Sequence, residues 1–340
     1  ARETTDHVLP FGYWIDKREW VPVVHAAGGE DDADHAKGNP YENMVYTPYD
    51  HFCADCHTTM PAGDWLLRLG RRRAPVYVPR STSFRFGPYL RETKPGLIGS
   101  DVDIDKFDDT DVMKTLGTFW HGRVEENAVS LGIVCESCHL GSREHVHQST
   151  AKATSHLPAF FYQSPHITAS GDDTGEMLGR TPSNVNFVCA RCHSGGRPEY
   201  ANGNHTWNST EYADASQGYC YKTPAADSPA KSLTCVLCHD PHKTIGGKWT
   251  QSPHQDDQKC ISCHQQFKVT EALTMHTRHS VASGGSRCMN CHMPKINEGL
   301  QDMVRTHRIF NPTDKAMIES NQPNACNLCH LDKPIDWTIG

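Results

Sequence analysis

Residues 235–292 read CVLCHDPHKTIGGKWTQSPHQDDQKCISCHQQFKVTEALTMHTRHSVASGGSRCMNCH. Three times in this stretch a cysteine pair spaced C-x-x-C is followed at once by histidine. The three are Cys235, Cys238 and His239; Cys260, Cys263 and His264; and Cys288, Cys291 and His292. The same string recurs four times outside it, as Cys53, Cys56 and His57; Cys135, Cys138 and His139; Cys189, Cys192 and His193; and Cys326, Cys329 and His330. Fourteen of the 15 cysteines fall in these seven strings, and Cys220 is left over. Zinc ribbons also use C-x-x-C pairs, but they do not require histidine next. A thioredoxin-like redox pair would occur once. Histidine is 22 of 340 residues, so its recurrence after all seven pairs is not a consequence of composition.

C-x-x-C-H is the attachment signature of c-type haem. Two thiols add across the two vinyl groups of the porphyrin, and two intervening residues let one helical turn carry both sulfurs along its edge. The histidine that follows then presents its imidazole to the iron. Seven covalently attached c haems are expected, with His57, His139, His193, His239, His264, His292 and His330 as proximal ligands.

Composition agrees with an apolar group supplied from outside the chain. Hydrophobic residues are 37 % of the sequence. Counting glycine and omitting tyrosine gives about 41 %, against a usual value of about 45–50 %. The net charge is −7, and Arg71, Arg72 and Arg73 form the one tight basic run, which leaves no electrostatic footprint for nucleic acid. No apolar run is long enough for a transmembrane segment. Thioether formation needs reduced thiols and haem together outside the cytosol. A periplasmic or extracellular location is therefore expected, with the export signal already removed.

The sixth iron ligand separates a wire from an enzyme, because an iron with two histidine ligands has no place for substrate. Fifteen histidines lie outside the motifs. His121, His145, His166, His242, His254, His279 and His307 are the expected distal ligands, each from its placement near a motif. His25, His35, His51, His156, His205 and His276 are held in reserve. Cys220, between Tyr219 and Tyr221, is expected to be a buried, inert thiol.

Motif density rises toward the C-terminus. One motif lies in residues 1–125 and six lie in 126–340, which are taken as an N-terminal part and a haem-dense domain. The expected fold is mainly α and irregular, organised by haem, with short helices and little β. A few strands are expected in the N-terminal part, in WVPVV from Trp20 and in APVYVPRSTSFRFG from Ala74, and a short helix in KTLGTFW from Lys114.

TCVLCHDPH, WTQSPHQDDQKCISCH, HTRHSVASGGSRCMNCHMP, RTHRIFNP and PNACNLCHLDK resemble the C-terminal modules of bacterial multihaem c-type cytochromes. GIVCESCHLGSREHV resembles the CESCHGPGxxHV element of a group that includes tetrahaem cytochromes and hydroxylamine oxidoreductases; Leu140 stands where that element has glycine, and no proline follows. The resemblance covers about residues 131–340. It implies haems packed in stacked and perpendicular pairs, and distal ligation by His254, His279 and His307. It also argues against some enzymes. With histidines enough for two ligands on every iron, the leading expectation is an electron-transfer protein more than an enzyme, a heptahaem cytochrome with closely packed bis-histidine haems passing electrons between redox protein partners in periplasmic or extracellular electron transfer. An oxidoreductase of a small nitrogen or sulfur compound, with one open haem, is the alternative. None of the seven motifs ends in the lysine of the related nitrite reductases. Association of copies into a filament, with a histidine of one copy serving the next, stays open.

Overall fold

The computed structural model describes residues 11–15, 17–22, 49, 53–61, 64, 82–84, 86–97, 100, 103, 124–139, 167–169, 182–223, 233–244, 252–299 and 302–339. The chain forms two compact units, Ala1–Arg180 and Thr181–Gly340. The described residues of both are mainly helical and irregular, as expected from the sequence. Among them, β-structure is limited to three two-stranded antiparallel sheets and three isolated bridges. No helix there is long and apolar enough to cross a membrane.

In the first unit, β1 (Phe11–Trp14) and β2 (Glu19–Pro22) form a hairpin whose register pairs Tyr13 with Trp20. β2 takes up the start of the expected WVPVV strand. The four-residue helix α1 (Ala54–His57) carries the first motif. β3 (Thr82–Phe84), within the second expected strand region, pairs with β4 (Ile167–Ala169). Helix α2 (Phe86–Thr93) buries Tyr89 and Leu90, and Ala54, Met60 and Val124 are buried in the same unit. The hydroxyl of Tyr89 donates to Asp64 at 2.8 Å, and Asp64 also meets Lys94 at 3.2 Å. The helix α3 (Cys135–Cys138) carries the second motif. The expected helix from Lys114 lies outside the described residues.

In the second unit, α4 (Pro182–Ala190) leads into the third motif and is followed by α5 (Glu211–Gln217) and α6 (Tyr219–Lys222). Helix α7 (Cys235–Cys238) carries the fourth motif and is followed by α8 (Pro241–Thr244). Helix α9 (Pro253–Ile261) starts with a capping box, in which Ser252 and Gln255 satisfy each other's backbone N–H groups. It runs into the fifth motif. Then come α10 (Thr270–Thr277), α11 (Cys288–His292) with the sixth motif, the hairpin β5 (Lys295–Glu298) and β6 (Met303–Arg305), and α12 (Lys315–Glu319). α4 packs on α7, α7 on α9, and α9 on α11. The helices of motifs three to six thus touch in sequence order. Among the described residues of this unit, Phe187, Val188, Ala190, Ala213, Ile261, Ile296, Met317, Ile318 and Ala325 form the buried apolar set. Apolar residues in and beside its motifs stand exposed, Val236, Leu237, Leu328 and, at 83 %, Leu331, as do Ile133 and Val134 beside the second motif in the first unit.

Candidate functional site

Each motif is one helical turn closed on itself. In six of them the histidine N–H donates to the carbonyl of the first cysteine at 2.8 to 3.0 Å: His57, His139, His193, His239, His264 and His330. In the remaining one, the sixth motif, His292 ends a helix that starts at Cys288. Such a turn places side chains three apart on one face. The two thiols of a motif therefore share a face, and the histidine follows at the turn's end. All described cysteines are free thiols, with no disulfide among them.

Neighbouring motifs are joined by a repeated device. Asn186, three residues before Cys189, accepts the N–H of Cys235 at 2.9 Å and donates to Leu233 at 3.0 Å. Asp257, three residues before Cys260, accepts the N–H of Cys288 at 3.1 Å and is held by Arg287 at 2.9 Å. In both cases a polar side chain on one motif's helix caps the opening of the next. The thiols meet as well. Cys189 and Cys235 hydrogen-bond to each other, which pushes Cys189 up and Cys235 down, and Cys260 and Cys288 do the same, with Cys288 pushed up and Cys260 down. Burial and the nearby Cys260 push Cys238 up, and burial with Cys326 and Cys329 pushes Cys291 up. The series of neighbours thus runs from the third motif to the seventh.

In the first unit, motifs separated by a long stretch of sequence are drawn together through Thr59. Its hydroxyl donates to the Gly132 carbonyl at 2.7 Å, meets Ser137 inside the second motif at 2.5 Å, and accepts from the Val134 N–H at 3.0 Å.

Among the described residues, three motif histidines face a second imidazole. His239 and His307 have ring centroids 6.1 Å apart at 21°, His292 and His276 5.9 Å at 10°, and His330 and His279 6.1 Å at 42°. Two imidazoles bound to one metal from opposite sides, with bonds of about 2 Å, have centroids roughly 6 Å apart. The nitrogen partners also fit. Nδ1 of His292 lies 2.9 Å from the Phe310 carbonyl, Nδ1 of His307 3.2 Å from that of Arg305, and Nδ1 of His279 2.5 Å from that of Thr277. Donation from Nδ1 leaves Nε2 as the metal-binding nitrogen. The donor set therefore fits haem.

His276 and His279 lie three residues apart yet serve different partners. On a continuous helix they would share one face. Arg278 adopts a left-handed conformation, φ 59°, and ends α10 between them. His279 then lies so close to Gly285 that any Cβ there would collide with its ring. Phe267 stacks on His276 at 4.6 Å, and Trp337 lies 5.0 Å from His330.

Of the expected distal histidines, His279 and His307 occupy these ring pairs. His242 is exposed on α8 and His254 is exposed on α9. His121, His145 and His166 lie outside the described residues. His276, held in reserve from the sequence, takes the place facing His292. His205 is buried between Asp214, 2.6 Å from Nδ1, and Glu199, 3.5 Å from Nε2, so both ring nitrogens meet carboxylates. Cys220 is half-buried, and burial pushes its thiol up, in line with an inert role.

His193 has a different second partner from the three pairs above. Its Nδ1 lies 2.7 Å from the carboxylate of Glu211, in the first turn of α5. Burial opposes ionisation of Glu211, but the hydrogen bond to His193 and the attraction of its ring outweigh it and hold the carboxyl at about 2. Among the described residues, no group of three or more histidine, cysteine, aspartate or glutamate side chains is arranged to hold a bare metal ion. No family model matches the chain, and no solved structure matches it.

Proposed function

We propose that this chain is a multihaem c-type cytochrome that carries electrons between redox protein partners. The observation that carries this reading is the set of three imidazole pairs with centroids about 6 Å apart, each with one member from a C-x-x-C-H turn. Each bound haem would supply a one-electron ferric/ferrous couple. The chain's own residues do the rest. The cysteine pairs would hold each haem through thioether bonds, and His239 with His307, His292 with His276, and His330 with His279 would each give two ligands to one iron. Two protein ligands on an iron would leave no place there for a substrate, which favours a conduit over an oxidoreductase. Asn186 and Asp257 hold successive motifs in contact, so neighbouring groups lie close enough to exchange electrons. The exposed apolar residues beside the motifs would be covered by the porphyrin faces, at about 25 cal/mol per Å² of apolar area buried. Thioether attachment places the protein outside the cytosol, in the periplasm or beyond.

The test combines mass and spin state. The denatured protein should exceed the 37.9 kDa polypeptide by seven haems. The ferric protein should be low-spin, and His276→Ala or His307→Ala should each add one high-spin signal and one carbon monoxide site on reduction. A polypeptide of unmodified mass would overturn the haem reading. Native protein that already binds carbon monoxide would overturn the conduit in favour of an open-site oxidoreductase.

A further inference from the structure

His193 is held by two consecutive residues. The Tyr212 N–H donates to the His193 carbonyl at 2.8 Å, and the Glu211 carboxylate takes the ring Nδ1 proton in a 2.7 Å hydrogen bond. Glu211 is itself aimed by the Ser209 N–H, which donates to its other oxygen at 3.1 Å. The Gly195 N–H donates to the Ser209 carbonyl at 2.7 Å, closing the segment after the third motif onto the turn before α5. The hydrogen bond is therefore built from both sides. Its geometry does not depend on a long flexible side chain finding a partner.

The acceptor sets the electronic effect. A carboxylate draws the Nδ1 proton more strongly than a neutral amide carbonyl, and a histidine so bonded is a more basic ligand through Nε2. His292, His279 and His307 have backbone carbonyls at Nδ1. A more basic axial ligand favours the ferric state, as does the nearby negative charge.

We infer that Glu211 is a positioning residue that lowers the reduction potential of the haem borne by His193 below that of the haem borne by His292. This rests on the haem reading above. In the step concerned, one electron arrives from a neighbouring carrier and converts ferric to ferrous iron. No bond is made or broken, and the shared proton stays on Nδ1. An electron would then sit less stably at the third motif than at the sixth.

The experiment is a spectroelectrochemical titration of the haem-loaded protein and its Glu211→Gln variant, with intact mass recorded for both. Glutamine keeps an acceptor oxygen but loses the charge. One titration step should move upward by a tenfold change in its reduction equilibrium, about 59 mV for a one-electron couple. Superimposable titrations with seven haems on both proteins would overturn the inference and leave the haem reading intact; absence of haem by mass would instead remove the haem reading. If the variant does not accumulate, the reduced native protein labelled with nitrogen-15 histidine decides. The His193 Nδ1 proton should resonate downfield of that of His292, and an equal or upfield position overturns the inference.

Discussion

The junction between motifs three and four and the junction between motifs five and six do the same job with different chemistry. Both use a side chain three residues before a motif's first cysteine, and both cap the N–H that opens the following motif. At the first junction the cap is Asn186, neutral, with its amide N–H₂ donating to a backbone carbonyl. At the second it is Asp257, an anion, neutralised by Arg287 just before the capped cysteine. The residue type is thus not what the two share. What they share is a requirement for an acceptor oxygen where two short helices meet. A four- or five-residue helix leaves its first N–H groups without intrahelical partners, so a neighbour must supply one. Thr59 meets the same need in the first unit, accepting from Val134 at the entry to the second motif.

The largest expected effect is at the charged junction. Asp257→Ala removes the acceptor and leaves Arg287 half-buried without its anion, at a cost of about 3 kcal/mol. Thermal unfolding should report it, with faster hydrogen exchange at Cys288. A loss no larger than that of an exposed substitution would break the comparison. Asn186→Ala should cost less, about 1–2 kcal/mol, because a neutral hydrogen bond is lost at each end and no charge is stranded. Faster exchange at Cys235, with Cys288 unchanged, would place the damage at the right junction. The smallest effect belongs to Asp257→Asn. It keeps the acceptor and copies the other junction, and should cost under about 1 kcal/mol, chiefly from the weakened pair with Arg287. If Asn proved as damaging as Ala, charge rather than capping would be the function of this position.

The two junctions also mark what could be read from the chain before its fold was known. The polar residue three positions before the cysteine is present in NFVC and DQKC, but nothing local ties Asn186 to Cys235 or Asp257 to Cys288. Glu211 carries no motif at all. It follows His193 by a turn-rich segment whose path alone brings it to the ring. His279 and His307 were legible because histidines in excess of need sit between motifs. Spacing from the motifs does not reveal the left-handed break at Arg278 that sends the rings of His276 and His279 to different partners.

The sequence by itself determined the seven C-x-x-C-H turns and the sparse, mainly helical and irregular character of the chain. A turn closed by a bond from the fifth residue to the carbonyl of the first needs only those five residues, and it forms alike in all seven places. A chain poor in apolar side chains cannot make long self-sufficient helices, and those described are nine residues at most. The tertiary structure alone decided which imidazole faces which, that Thr59 joins two distant motifs, and that Glu211 rather than a carbonyl holds His193. Those contacts join residues whose separation along the chain carries no periodic signal. Their geometry is set by where intervening segments turn, and only the folded path brings the partner atoms within hydrogen-bonding reach.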